Sequence, residues 1–171
     1  MGPGSEGEVY LKGPIIFRGY HQNLEATNEA FDTDGWFRTG DVGMFKDGLL
    51  YIVDRKKELI KYKGLQVAPA ELEALLLSHP DILDAAVIGV DWKGTEVPRA
   101  YIVANRNKIS AEKVIQFVKD NVASHKQLRG GVVFLNAIPK SPSGKILRKD
   151  LRAMAKSERS QLQGKLCVNL P

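Results

Sequence analysis

A single cysteine, Cys167, stands among 171 residues. One thiol cannot build a disulfide framework, and it suits a reducing compartment. No activating partner lies near it in the sequence. Histidine is scarce too: His21, His79 and His125 are scattered, with no metal-ligand spacing, so no metal site is expected from this chain. No Ser-His-Asp arrangement can be argued. There is no run of about 18 apolar residues, so no membrane-spanning helix is expected. Met1-Gly2-Pro3-Gly4-Ser5 lacks a basic-then-apolar leader pattern. The final Asn169-Leu170-Pro171 is not a Ser-Lys-Leu peroxisomal address, and the cytosol is the expected location.

What is present fits a soluble protein with a real core: 43% of residues are apolar and 26% charged. The length suggests one domain, or one domain and part of another. The net charge of +5 hides a division. Residues 1–54 carry 4 basic and 9 acidic side chains, whereas residues 55–171 carry 21 basic and 11 acidic. The sign changes at Asp54-Arg55-Lys56-Lys57. Two units with different partners are implied, the second facing an anion.

The first stretch predicts β-structure. Glu8 to Lys12 and Ile15 to Arg18 are short and β-rich, with Gly13-Pro14 between them. Asn23 to Phe31 is a short helix, and Asp34-Gly35 and Asp47-Gly48 are turns. Trp36 to Thr39, Val42 to Phe45 and Leu49 to Val53 complete small antiparallel sheets. About 53 residues is little for an independent core, which suggests the edge of a larger domain. Beyond the basic cluster, Lys63-Gly64 joins a hairpin. Pro69 opens a helix whose Leu72, Leu75 and Leu76 share a face, and His79-Pro80 ends it. Ile82 to Val90 and Val97 to Ala104 are strands, and Ser110 caps a helix with Val114, Ile115, Phe117, Val118 and Val122 on one stripe. Val132 to Leu135 is a strand, Pro139 to Lys145 a polar loop, and Ile146 to about Ser160 a basic helix. The order β-β-α-β-β-α-β-α over about residues 58–160 describes a compact α+β domain, with residues 161–171 as a flexible tail.

Three segments could carry chemistry. Pro139-Lys140-Ser141-Pro142-Ser143-Gly144-Lys145 ends like a phosphate-binding P-loop, but that pattern needs glycine where Pro139 stands. A lysine on a flexible loop before a helix remains. It could deliver a cation to developing negative charge, although an ordinary exposed lysine is the better local reading. Arg55 to Lys63 holds five cations in nine residues, interleaved with Leu59, Ile60 and Tyr62. Lys57, Lys61 and Lys63 would share one face of an extended strand, and Gly64 would admit a narrow ligand. A charged edge strand that resists aggregation explains the stretch equally well. In Gly35-Trp36-Phe37-Arg38-Thr39-Gly40-Asp41, the aspartate after a strand-turn could accept two ribose hydroxyls; taken alone, a turn carboxylate is the better reading. The basic helix with Lys145, Arg148, Lys149, Arg152, Lys156 and Arg159 has no interleaved aromatics, so a solvated face is preferred to nucleic-acid binding.

Taken together, the motifs resemble the adenylate-forming superfamily of acyl-CoA synthetases, peptide-synthetase adenylation domains and beetle luciferase. They are Thr39-Gly40-Asp41, Asp54-Arg55, Lys61-Tyr62-Lys63-Gly64-Leu65-Gln66-Val67-Ala68-Pro69-Ala70-Glu71-Leu72-Glu73 and Pro139 through Lys145. Gln66 to Glu71 and Leu128-Arg129-Gly130-Gly131-Val132 are most similar to 4-coumarate–CoA ligase and luciferase. The resemblance covers about residues 6–156. It implies an α+β fold: a compact C-terminal lid domain, residues 58–160, with a small mixed sheet flanked by helices. Residues 1–53 would be the β-rich end of a large N-terminal domain, and residues 54–57 the hinge. The family's phosphate loop, magnesium-binding segment and acyl pocket would lie outside this chain. Alone, the chain is expected to be inactive.

The resemblance implies an AMP-forming acid–CoA ligase acting on ATP, a carboxylic acid and CoA, with Mg2+ held mainly by the large domain. Lys145 would serve adenylate formation and Lys61 thioester formation. Asp41, Arg55, Lys57, Lys61 and Lys145 would contact nucleotide, and Lys63, Gly64 and Gln66 would line the CoA passage. Lys57 also matches the family's hinge position, where many members carry aspartate. A luciferase-like monooxygenase fragment and a free-standing nucleotide- or protein-binding module are the alternatives.

Overall fold

The computed structural model describes residues 4–166. Contacts divide the chain into two compact units, Met1–Glu58 and Leu59–Pro171. Cys167 and the terminal Asn169-Leu170-Pro171 lie outside the described residues.

In the first unit, β1 (Glu6–Leu11), β2 (Phe37–Lys46) and β3 (Leu49–Arg55) form an antiparallel sheet in that order. Helix α1 (Leu24–Ala30) starts where the Asn23 side chain accepts the Ala26 N–H. Asp47 and Gly48 both take positive φ, the geometry that joins β2 to β3 without splaying them. Two expectations fail. Trp36–Thr39 and Val42–Phe45 are not separate strands; Phe37 to Phe45 run within β2. Ile15–Arg18 is not a strand: the Ile16 N–H turns back onto the Gly13 carbonyl, and Phe17 packs edge-on against Tyr20 and Phe37. The unit buries little, with Val42 its one buried hydrophobic side chain among the described residues. Leu24, Phe45, Leu49 and Ile52 are exposed.

The second unit follows the order expected from the sequence. The hairpin β4 (Ile60–Tyr62) and β5 (Leu65–Val67) precedes α2 (Pro69–Leu77), then the long hairpin β6 (Ile82–Trp92) and β7 (Thr95–Ala104). Next come α3 (Ala111–Asn121), a 3-10 turn, β8 (Val132–Phe134) and α4 (Arg148–Leu166). Helix α4 starts two residues later than expected and runs past Ser160. β8 pairs parallel with β7, so the sheet β6-β7-β8 is mixed.

This sheet is buried on both faces, which is why β6 and β7 are nearly continuous apolar runs. Alternate residues divide between two cores. Ala85, Val87, Ala100 and Ile102 meet Ile60 and Val67 of the first hairpin, Leu72 and Leu76 of α2, and Val114 and Val118 of α3. Ala86, Ile88 and Tyr101 meet Ile138, Leu151 and Ala155. At about 25 cal/mol per Å2 of apolar surface, these two layers supply the unit's main stabilisation.

Candidate active site

Four of the sequence-selected residues share one hairpin. Lys61 on β4 stands directly opposite Gln66 on β5. Ile60 and Val67, the neighbouring pair, are fully buried, so Lys61 and Gln66 share the outward face. Lys63 and Gly64 form the tip with φ of 47° and 82°. This replaces the expectation that Lys57, Lys61 and Lys63 line one extended strand. Lys63 leaves the strand because a two-residue hairpin turn needs positive φ there, and Lys57 lies in the turn that follows β3. A Cβ at Gly64 would meet nothing within 4 Å, so the constraint visible within the chain is its φ.

The tip is held by β7. Thr95 Oγ1 accepts the Lys63 N–H at 2.8 Å and donates to the Lys61 carbonyl at 2.8 Å. Glu96 Oε2 accepts the Lys61 N–H at 2.8 Å. The Tyr62 ring lies 5.6 Å from the Lys63 ammonium and 5.6 Å from the Arg129 guanidinium carbon. Sequence reasoning passed over Thr95 and Glu96, because neither belongs to a motif and their partners lie over thirty residues away.

Lys145 lies elsewhere, in a turn before α4. The segment expected to be a flexible loop is closed by hydrogen bonds. The Ser141 N–H donates to the Lys145 carbonyl at 2.8 Å, the Gly144 N–H to the Ser141 carbonyl at 2.9 Å, and the Lys145 N–H to Ser141 Oγ at 3.2 Å. Two ion pairs flank it: Lys140 with Asp84 at 2.6 Å, and Arg148 with Glu73 at 2.7 Å. The turn leads into Ile146, which packs on the core of α4. The hairpin bearing Lys61 packs on the core across the sheet.

In the first unit, Asp41 and Arg55 are register partners on β2 and β3, joined by an ion pair of 3.1 Å. Asp41 lies within a strand, not after a strand-turn. Opposite Glu8 and Tyr10, β2 carries an extra loop of backbone in which Gly40 takes φ 72°. The Thr39 hydroxyl donates to the Val9 carbonyl at 2.8 Å and accepts the Asp41 N–H at 3.0 Å, which fixes the aspartate.

The cations differ in pairing. Lys56, Lys126 and Lys140 each bind a carboxylate at 2.6 Å. Among the described residues, Lys57, Lys61, Lys63 and Lys145 form no ion pair and are exposed. Such ammonium groups remain available to phosphate oxygens. Among the described residues, no group of three or more His, Cys, Asp or Glu could hold a metal, and no helix is long and apolar enough to cross a membrane.

Residues 71–145 match the AMP-binding enzyme C-terminal domain family. The chain is 58% identical over 158 residues to an Emericella nidulans protein named as an acyl-coenzyme A synthetase, covering 90% of this chain and 28% of that protein. It is 49% identical over 165 residues to luciferin 4-monooxygenase of Photuris pensylvanica, covering 95% and 30%. The ATP-bound MatB structure from Rhodopseudomonas palustris superposes with a TM-score of 0.83 at 31% identity, covering 91% of this chain and 31% of that one. The chain thus spans under a third of the length of these relatives. Residues 71–145 thus match the AMP-binding enzyme C-terminal domain family, and the chain as a whole aligns with the C-terminal portion of acyl-CoA synthetases and 4-coumarate–CoA ligases.

Proposed function

We propose that this chain supplies the C-terminal catalytic segment of an AMP-forming acid–CoA ligase. The observation that carries this reading is a pair of lysines without acidic partners, Lys61 and Lys145. Each sits on a positioned turn or hairpin, and their segments pack against opposite faces of one sheet. Two half-reactions need two such cations. First, a carboxylate oxygen attacks the α-phosphorus of ATP, giving acyl-adenylate and releasing pyrophosphate. Lys145 stabilises the charge gathering on the phosphate oxygens. Next, the CoA sulfur attacks the acyl carbon and AMP leaves, with Lys61 beside the adenylate. Lys63, Gly64 and Gln66 line the pantetheine passage. Asp41 accepts the ribose hydroxyls, Arg55 binds the same nucleotide, and Lys57 is the pivot between the two steps. Mg2+ would supply further neutralisation of the phosphate charge, held mainly by residues outside this chain.

The thin core of residues 1–53 supports their assignment to the edge of a larger domain, as does the greater length of the relatives. A luciferase-like oxidation of the adenylate is the second reading, favoured by the 49% identity to luciferin 4-monooxygenase. The test joins this chain to the large domain of a 4-coumarate–CoA ligase. Lys145→Ala should abolish adenylate formation and spare thioester formation from supplied acyl-adenylate, and Lys61→Ala should do the reverse. Equal loss of the same half-reaction in both variants would refute the assignment.

A further inference from the structure

We infer that Thr95 and Glu96 are positioning residues for thioester formation, fixing the backbone of Lys61 and Lys63 on which that step depends. This rests on the proposed role of Lys61. The argument starts with strand geometry. In a two-residue hairpin, the pair next to the turn, Tyr62 and Leu65, exchanges the backbone bonds. The following pair, Lys61 and Gln66, does not, so the Lys61 N–H and C=O point away from β5. Left alone they would be open edge groups. Glu96 accepts the N–H and Thr95 donates to the C=O, while the same Thr95 oxygen accepts the Lys63 N–H.

All three contacts fall on the two lysines of the hairpin. The apolar anchors Ile60 and Val67 already bury the base of the hairpin, so the clasp adds orientation more than burial. Its place is prepared: a Cβ at Gly89 would sit 3.2 Å from the Glu96 carboxyl and 3.3 Å from Ile60 Cγ2. Side-chain partners, not a third strand, therefore set where the Lys61 ammonium and the Gly64 backbone point. Small misplacements of a reacting group are costly in rate.

The experiment uses the same chimeric ligase. Thr95→Val keeps the shape and β-propensity but loses both hydroxyl bonds; Glu96→Leu loses the acceptor; Thr95→Ser keeps the hydroxyl. The first two should lower thioester formation from supplied acyl-adenylate about tenfold, leave adenylate formation unchanged, and speed hydrogen exchange at residues 61–63. Thr95→Ser should restore both readouts. Faster exchange with an unchanged thioester rate would overturn the inference while leaving the role of Lys61 standing. An equal fall in both half-reactions would also overturn it, by showing a purely structural part. Failure of the underlying reading shows separately, as full thioester formation by Lys61→Ala.

Discussion

Arg148 reaches back across 75 positions to grip the Glu73 carboxylate with two contacts, at 2.7 and 2.8 Å. Glu73 also accepts the Val87 N–H at 2.8 Å, on the edge strand β6. One carboxylate thus joins α2, the sheet and the first turn of α4. Lys145 lies three residues before Arg148, so the pair fixes the downstream end of its turn. Lys140 and Asp84 fix the upstream end.

Removing one partner of the inner pair should therefore damage fold and function together. The two side chains are only 15% and 12% exposed. Arg148→Met would leave the nearly buried Glu73 carboxylate without its cation, held only by neutral donors such as the Val87 N–H, at a cost of about 3 kcal/mol. Pairing it with Glu73→Leu should recover part of that loss, because an apolar pair replaces an ionic one. Thermal or denaturant unfolding of the single and double variants checks this. In the chimeric ligase, Arg148→Met should slow adenylate formation more than thioester formation.

Alkaline stability offers a test of the second core. Burial holds the Tyr101 hydroxyl above the ordinary tyrosine range. Below about pH 10 both folded and unfolded chains keep this proton. As pH rises further, the unfolded chain releases it first, so stability falls until the folded group also titrates. Tyr101→Phe should flatten that decline. Near pH 7 it should cost under about 1 kcal/mol, because the hydroxyl reaches the Leu151 carbonyl only at 3.4 Å. Denaturant midpoints from pH 7 to 11 measure both effects.

The two units should open at different costs. Among the described residues, unit one has Val42 as its one buried hydrophobic side chain, whereas β6 and β7 are buried on both faces. In the 171-residue chain, amides of β1 to β3 should exchange much faster than those of β6 and β7. Comparable protection would contradict the assignment of residues 1–53 to a larger domain's edge.

The second unit was legible because its signals were local. Pro69 at a helix start, the Ser110 cap and the leucine spacing of α2 each state their own structure. The Lys61–Gly64 hairpin was legible for the same reason. The first unit was less so: Ile15 to Arg18 has β-forming residues, yet Phe17 turns into an aromatic cluster with Phe31 and Phe37. The supports of the candidate site were hidden by distance. Thr95, Glu96, Glu73 and Arg148 act on residues 14 to 75 positions away, and nothing beside them in the chain marks those partners.

Glycine at 64 and glycine at 130 exist for different reasons, and alanine at each should separate them. Gly64 takes φ 82° in open space, so Gly64→Ala meets only backbone strain, about 1 kcal/mol. At Gly130 a Cβ would lie 2.9 Å from Arg99 Cβ, the Pro98 carbonyl oxygen and Val90 Cγ2. Two of these are backbone or backbone-fixed atoms, so the loop must move, at about 2 kcal/mol or more. Gly130→Ala should therefore lower the melting temperature more. Gly64→Ala should do more harm to the thioester step, since its methyl group stands where the pantetheine arm is proposed to pass. A ligase carrying Gly64→Ala that kept its melting temperature and its full CoA-dependent rate would remove Gly64 from that passage.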